Sequence, residues 1–382
     1  MTDFYRIDDL LTEDERAVRD RVRAWARERI APRAADFWER GEFQADRVLE
    51  LGALGVAGGT IGSHGCPKIS AVAYGLASQE LAYADSSFTT FFGVHSGLAM
   101  GSIALFGTDA QKERWLPSMA RCEIIGAFAL TEAEHGSDAS HLETTATPVN
   151  GGYLINGSKR WIGNGDTFGV AVLWAQTPDG VAPFLFEPDT TGFTRTPMLG
   201  KLAKRAVTNV EMSFVDCFVP ESNRMPVTGF RHVADILRIT RHHVSWTALG
   251  EAIACYEAAL EHARNRVQFG KPIGSFQLVQ EKLVEMATEI TKAQLLSLQL
   301  ARLLDAGHAT AGMTAMAKAN NSKIARDSAR LAREILGGDG ILQQHHVMRH
   351  LVDIEAIYTF EGTWDINTLI VGRELTGLSA FT

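Results

Sequence analysis

Proline placement constrains this chain more than any other feature. Seven of its eleven prolines lie between Pro148 and Pro226, and only Pro272 follows them. Proline removes a backbone donor and breaks helix interiors, so the proline-poor ends are free to be helical and the middle is not. At about 150 residues per domain, 382 residues allow two or three domains. The proline map gives three: a helical domain over 1–124, a β domain over 125–226 and a helical domain over 227–382.

Local patterns agree. Thr12-Glu13-Asp14-Glu15 is a capping-box pattern, with Thr12 as N-cap and Glu15 reaching back. Val18, Val22, Trp25 and Ile30 then recur at roughly helical spacing. Glycines between Gly52 and Gly65 predict a loop, and helical patterns resume over 71–84 and 98–106. The middle third carries three Asn-Gly pairs, Asn150-Gly151, Asn156-Gly157 and Asn164-Gly165, which predict tight hairpin turns. Val170, Val172 and Trp174 alternate with Ala171, Leu173 and Ala175. Both sets are apolar, so this strand is expected to be covered on both faces. Residues 207–219 predict a further strand. Residues 233–267 and 278–304 predict long amphipathic helices, and Gly337-Gly338 ends another that starts near Met316.

Net charge is −8 and no Lys/Arg-rich run stands out, which argues against nucleic acid as a partner. Cys66, Cys122, Cys217 and Cys255 are scattered and form no CxxC pair, which argues against zinc and against a disulfide framework. The N-terminus is acidic where a secretory signal would be basic and then apolar. Apolar stretches such as 124–130 fall short of a membrane span, and the Ser379-Ala380-Phe381-Thr382 end is no peroxisomal address. A soluble cytoplasmic protein without a membrane partner is expected.

Five segments carry chemistry, each weakly. Phe128-Ala-Leu-Thr-Glu-Ala-Glu-His-Gly-Ser-Asp138 offers small residues and hydroxyls that let a backbone approach a ligand, or is simply a polar turn. Trp161, in Lys159-Arg-Trp-Ile-Gly-Asn164, either stacks on a planar cofactor or packs in a core. Arg266, in Arg264-Asn-Arg-Val-Gln-Phe-Gly-Lys-Pro-Ile273, presents a fork that suits pyrophosphate or a solvated helix end. Leu336-Gly-Gly-Asp-Gly340 is a bare glycine cluster. In Tyr358-Thr-Phe-Glu-Gly-Thr-Trp-Asp-Ile366, Glu361 has apolar neighbours. Burial raises a carboxyl pKa and makes a general base near neutrality, although a helix-start glutamate in a capping role fits equally well. Gly362 would let a substrate carbonyl reach the backbone.

In their order and spacing these segments resemble the acyl-CoA dehydrogenase family over nearly the whole chain. Within the family the chain most resembles the branch of glutaryl-CoA dehydrogenase and the plant peroxisomal short-chain acyl-CoA oxidase, and the tail from Glu355 to Phe381 is especially similar to the oxidase. The resemblance implies an α+β fold: N-terminal helices, a β-barrel-like middle domain and a C-terminal four-helix bundle. It implies bound FAD and a homotetramer. By resemblance Phe128, Leu130, Thr131, Ser137, Trp161 and Gly163 line the flavin of their own subunit. Arg266, Gly337 and Gly338 reach a neighbour's, and Gln277, Glu334, Thr363 and Asp365 match other FAD contacts. Thr89, Thr90, Ser137, Arg241, Gly362 and Phe381 match substrate positions. The implied reaction is α,β-dehydrogenation of an acyl-CoA, with Glu361 taking the α-proton while hydride goes to flavin N5 and the Glu361 amide helps to stabilise the enolate oxygen.

Departures from the family pattern refine this. The position of the glutarate-binding arginine is Thr89, which favours a neutral acyl chain. The usual threonine after Trp-Ile is Gly163, a form shared with the oxidase-like branch. Ala133 replaces a proline, a minor change. Thr240 occupies an alternative base position and cannot serve, which leaves Glu361. Phe88, Phe91 and Phe92 either shape a short acyl pocket or pack a core. The first reading is a dehydrogenase that hands electrons to an electron-transfer flavoprotein, and the second an oxidase that uses O2. A glutaryl-CoA dehydrogenase, a catalytically silent acyl-thioester binder, a flavin monooxygenase and a carrier-protein-tethered dehydrogenase rank lower.

Overall fold

The computed structural model describes residues 3–380, so Phe381 lies outside the described residues. Helix α1 (Glu13–Trp25) starts at the expected capping box, with Thr12 accepting from the Glu15 amide and the Glu15 side chain accepting from the Thr12 amide. It is followed by α2 (Ala31–Arg40), α3 (Val48–Ala53), α4 (Ala71–Ala84), α5 (Ser86–Phe92), α6 (Gly101–Phe106) and α7 (Asp109–Ala120). A π-helical segment, Gly93–Met100, joins α5 to α6, so one continuous helical run replaces the separate helix expected over 98–106. This 21-residue run, of mean hydropathy 1.3, is long and apolar enough to cross a membrane, contrary to the expectation from shorter stretches. It is 67% buried inside the protein.

The middle of the chain forms β1 (Gly126–Ala129), β2 (Thr145–Val149), β3 (Gly152–Ile162), β4 (Val170–Thr177), β5 (Gly180–Phe186), β6 (Phe193–Pro197) and β7 (Val210–Pro220). They make one curled sheet in the order β1-β4-β2-β3-β7-β6, with β5 on the other edge of β4. Strand β4 is covered on both faces as expected. Val170, Val172 and Trp174 join the core under the N-terminal helices, and Ala171, Leu173 and Ala175 join the core inside the sheet. Asn150-Gly151 turns the β2–β3 hairpin. The other two Asn-Gly pairs do not make hairpins. Asn156-Gly157 is a bulge within β3, where the register against β7 shifts, because Gly157 (φ 138) takes a conformation closed to other residues. Asn164 ends β3 in a turn, donating from its buried amide to the Phe91 and Gly126 carbonyls.

The rest is α8 (Arg231–Asn265), a short β8–β9 hairpin (Val267–Gln268, Lys271–Pro272), α9 (Gln277–Asp305), α10 (Ala311–Leu336), α11 (Val347–Thr359) and α12 (Trp364–Thr376). Helices α8 to α11 share one core. A second core joins them to α4 through Val72, Leu76, Trp246 and Leu249. Helix α4 is buried nearly all round because it is enclosed between α1 and α8. Close approach of α4 and α8 needs small residues: a Cβ on Gly75 would fall 2.3 Å from Trp246 Nε1, and one on Gly250 2.2 Å from the Gln79 carbonyl. The four cysteines are free and buried.

Candidate active site

Helices α11 and α12 are separated by a short turn, and Glu361 stands in it at φ 53, followed by Gly362 at φ 89. A non-glycine residue in this left-handed region is uncommon and is held there by its surroundings. Here the holding groups are visible. Arg241 Nε donates to the Glu361 carbonyl at 3.0 Å. Lys318 Nζ and Asn367 Nδ2 both donate to the Gly362 carbonyl, at 2.7 and 2.8 Å. Asn367 also donates to the Thr363 carbonyl at 3.0 Å. A Cβ on Gly362 would meet Asn367 Nδ2 at 3.0 Å and Arg241 at 3.4 Å, so both backbone and space demand glycine. Glu361 is not a helix cap. Thr363 caps α12, its hydroxyl accepting from the Ile366 amide. Trp364 stacks parallel to Tyr358.

The Glu361 carboxylate reaches α8, where its Oε2 lies 2.8 Å from Thr240 Oγ1. Burial pushes this carboxyl up to about 7, outweighing the Thr240 hydrogen bond and the Arg241 and Lys318 charges that pull it down. Burial likewise pushes Lys318 down to about 7, against the pull of Glu361. Among the described residues no backbone carbonyl accepts from the Glu361 amide, which leaves that N–H available to a ligand.

The β domain supplies a second group of residues. The Arg160 amide donates to the Thr131 carbonyl at 2.8 Å, which sets the Phe128–Thr131 segment beside the Trp161 turn. Buried Lys159 donates to the Leu130 carbonyl at 3.0 Å and pairs with Glu132 at 2.7 Å. Glu132 in turn accepts from the Glu143 and Thr144 amides, so the Phe128–Asp138 segment is shaped by its own glutamate. Trp161, at φ 65, is 52% exposed and is not a core residue. Ser137 is exposed, and Thr131 is half-buried. Gly163 is buried, and a Cβ there would lie 3.2 Å from Val94 Cγ2. Val94 and Gly97 share the π-helical segment, and a Cβ on Gly97 would lie 3.4 Å from Thr240 Cγ2. Contacts therefore run from the Trp161 turn through Val94 and Gly97 to Thr240 and Glu361.

A third group lies apart from these contacts on the C-terminal surface. Arg266 is at the exposed end of α8, Gln277 is exposed at the start of α9, and Gly337 and Gly338 are exposed after α10. Glu334 is engaged by Lys282 at 2.7 Å and Arg330 at 2.6 Å. Asp365 is exposed in the first turn of α12. Thr89 is fully buried, its hydroxyl 3.3 Å from the Ser78 carbonyl, and Thr90 bonds back to the Ser86 carbonyl. Phe88 and Phe91 stack on Phe43 in the N-terminal core, whereas Phe92 packs against Tyr74 and His243. Lys318, Asn367 and His243 escaped the sequence reading. Lys318 and His243 are distant in sequence from Glu361, Asn367 lies just past the Tyr358–Ile366 segment, and all three sit in ordinary helical patterns, so no local signal marks them.

The residues present suit a large planar cofactor. Trp161 offers a half-open aromatic face. Gly136 and Gly338 have ordinary φ and nothing within 4 Å of a would-be Cβ, so no contact within this chain explains a glycine there. Close approach of a ligand does.

The acyl-CoA dehydrogenase N-terminal domain matches residues 12–123, the middle domain 127–217 and the C-terminal domain 228–376. An acyl-CoA dehydrogenase of Bacillus subtilis (strain 168) is 34% identical over 375 residues, covering 96% of this chain and 99% of the relative. The solved glutaryl-CoA dehydrogenase of Mycobacterium smegmatis is 41% identical and superposes with a TM-score of 0.97, covering 98% of each chain. A glutaryl-CoA dehydrogenase structure from the same organism in complex with FADH2 is 36% identical, with a TM-score of 0.97, covering 99% of this chain and 98% of that one. The chain belongs to the acyl-CoA dehydrogenase family of FAD-dependent oxidoreductases.

Proposed function

We propose that this enzyme dehydrogenates a neutral acyl-CoA, with Glu361 as the α-proton base and a flavoprotein as the final electron acceptor. The observation that carries the base assignment is the Glu361 turn: a half-buried carboxylate, held at positive φ by three side chains, with its pKa brought to about 7. A base of that pKa is half ionised at neutral pH and still strong enough to receive a proton. Bound FAD supplies the hydride acceptor.

Thr240 suits both protonation states of the base. Its hydroxyl lies 2.8 Å from the carboxylate and 3.2 Å from the Ile236 carbonyl. It donates to ionised Glu361. Once Glu361 holds the proton, the hydroxyl turns to Ile236 and accepts from the new O–H. Arg241, Lys318 and Asn367 fix the turn, which directs the Glu361 amide at the thioester oxygen where negative charge develops. Phe128, Leu130, Thr131, Ser137, Trp161 and Gly163 would hold the flavin, with Thr363 and Asp365 beside it. Arg266, Gln277, Glu334, Gly337 and Gly338 would reach the cofactor of a second copy in a homotetramer. The exposed apolar side chains Val267, Phe269 and Leu278 on that surface support burial against such a copy.

A neutral acyl chain follows from the cations available. Thr89 is buried without charge. Lys204, which lies close enough to His243 to affect it, already serves Glu251 and the Ser86 carbonyl at 3.0 Å each. A second carboxylate on the acyl chain, as in the substrate named for the Mycobacterium smegmatis relatives, would be buried without a partner. Val94 fills part of the space that Gly163 leaves, which supports a flavoprotein acceptor over O2. The test is anaerobic mixing of the FAD-loaded protein with butyryl-CoA or glutaryl-CoA, then admission of air. The expected result is bleaching by butyryl-CoA alone and no peroxide at the turnover rate. Equal bleaching by glutaryl-CoA would remove the neutral-chain assignment, and stoichiometric peroxide would make the enzyme an oxidase.

A further inference from the structure

Glu361 must touch the α-carbon, and coenzyme A is too large to bury, so the thioester points outward and the alkyl end inward. Inward of the Glu361–Thr240 contact lies the seam between α8 and the π-helical segment. Gly97 and Tyr74 border it: a Cβ on Gly97 would lie 3.4 Å from Thr240 Cγ2 and 3.7 Å from the Tyr74 hydroxyl. One turn further along both elements, Gly93 faces His243. A Cβ on Gly93 would fall 2.3 Å from His243 Nε2. The backbone at Gly93 is ordinary helix (φ −63), so the imidazole is what demands glycine there.

The ring is firmly seated. His243 Nδ1 lies 2.8 Å from Ser78 Oγ. Its centroid is 5.8 Å from Tyr74 and 5.8 Å from Phe92, which are themselves 5.3 Å apart. All three rings are buried. Burial pushes the imidazole down to about 3, so it stays uncharged and offers no counter-ion to an acidic acyl tail.

We propose that His243, lodged in the notch left by Gly93 and backed by Tyr74 and Phe92, is the end wall of the acyl pocket and restricts the enzyme to short, uncharged acyl chains. The proposal rests on the acyl-CoA dehydrogenase reading above. A single methylene too many in a closed apolar pocket costs roughly tenfold to 200-fold in discrimination.

The test compares flavin reduction by butyryl-CoA and octanoyl-CoA in FAD-loaded wild type, His243→Ala and the double variant Gly93→Ala/His243→Ala. Wild type is expected to prefer butyryl-CoA in kcat/KM by at least about tenfold. His243→Ala is expected to narrow or reverse that ratio, and the double variant, which returns a methyl group to the notch, to recover part of it. If His243→Ala does not fold, His243→Asn keeps a polar atom for Ser78 and carries the same expectation. Equal rates for both substrates in wild type overturn the end wall while leaving the dehydrogenase standing. An unchanged ratio in folded His243 variants overturns it as well. A flavin that no acyl-CoA bleaches defeats the dehydrogenase reading itself, and the end wall with it.

Discussion

Glu251 and Glu361 belong to the same helical domain, the first fully buried and the second half-buried, yet they end in opposite protonation regimes. Burial raises the Glu251 carboxyl, but Lys204, His350 and Ser86 pull it back below its ordinary value. Lys204 Nζ lies 3.0 Å from Oε1, His350 Nδ1 3.4 Å from Oε2, and Ser86 Oγ also bonds Oε1. These partners come from the N-terminal helices, the β domain and α11, so an ionised Glu251 ties the three parts of the chain together. Glu361 has one side-chain donor, Thr240, while the nearby cations spend their hydrogen bonds on backbone carbonyls. Burial therefore prevails, and the carboxyl sits near 7. The number of donors aimed at the carboxylate itself separates a lock from a base.

Exchanging or removing those groups tests the contrast. The largest effect belongs to Glu361→Gln, which keeps the turn and removes the base. Flavin reduction by butyryl-CoA should fall by about 10²–10⁴-fold with FAD still bound, and a parental rate in stopped-flow bleaching would reveal another base. Glu251→Leu removes the carboxylate that pairs with buried Lys204. Chemical denaturation should show a loss of about 3–5 kcal/mol, with the reduction rate per folded molecule close to parental. A normal stability would mean that the cluster is not a lock. The smallest effect is a shift in pH dependence. Lys318 favours ionised Glu361, so Lys318→Met raises the pKa of the base and moves the acid limb of the reduction rate to higher pH. A limb that stays in place while the rate falls would confine Lys318 to holding the Gly362 carbonyl.

The lock and the base differed in how readable they were. Glu361 stood out because its neighbours in sequence are apolar and a glycine follows it. The groups that tune it, Arg241 and Lys318, come from other helices, and Lys318 reads as a surface residue until α10 packs against the turn. The Lys204–Glu251 cluster left no local signal, because each member sits in an ordinary pattern and meets the others only through tertiary packing. The fold behaved similarly. Prolines and the Thr12 capping box act locally and marked the helical and β regions well. The Asn156-Gly157 bulge and the unbroken helix through Gly93, Gly97 and Gly101 depend on partner strands and on α8, which no local pattern reveals. The phenylalanines of α5 divided for the same reason: Phe88 and Phe91 face Phe43, and Phe92 faces His243.

The most direct measurement is the anaerobic rate of flavin reduction by butyryl-CoA as a function of pH, in wild type and in Glu361→Gln. A raised carboxyl pKa means that the base is protonated and idle below it. The wild-type rate should therefore climb through a single limb centred near pH 7 and level off above it, and Glu361→Gln should lose both the rate and the limb. A wild-type limb near the ordinary carboxyl value of about 4.3, or a limb that survives in Glu361→Gln, would contradict the assignment of Glu361 as the buried base.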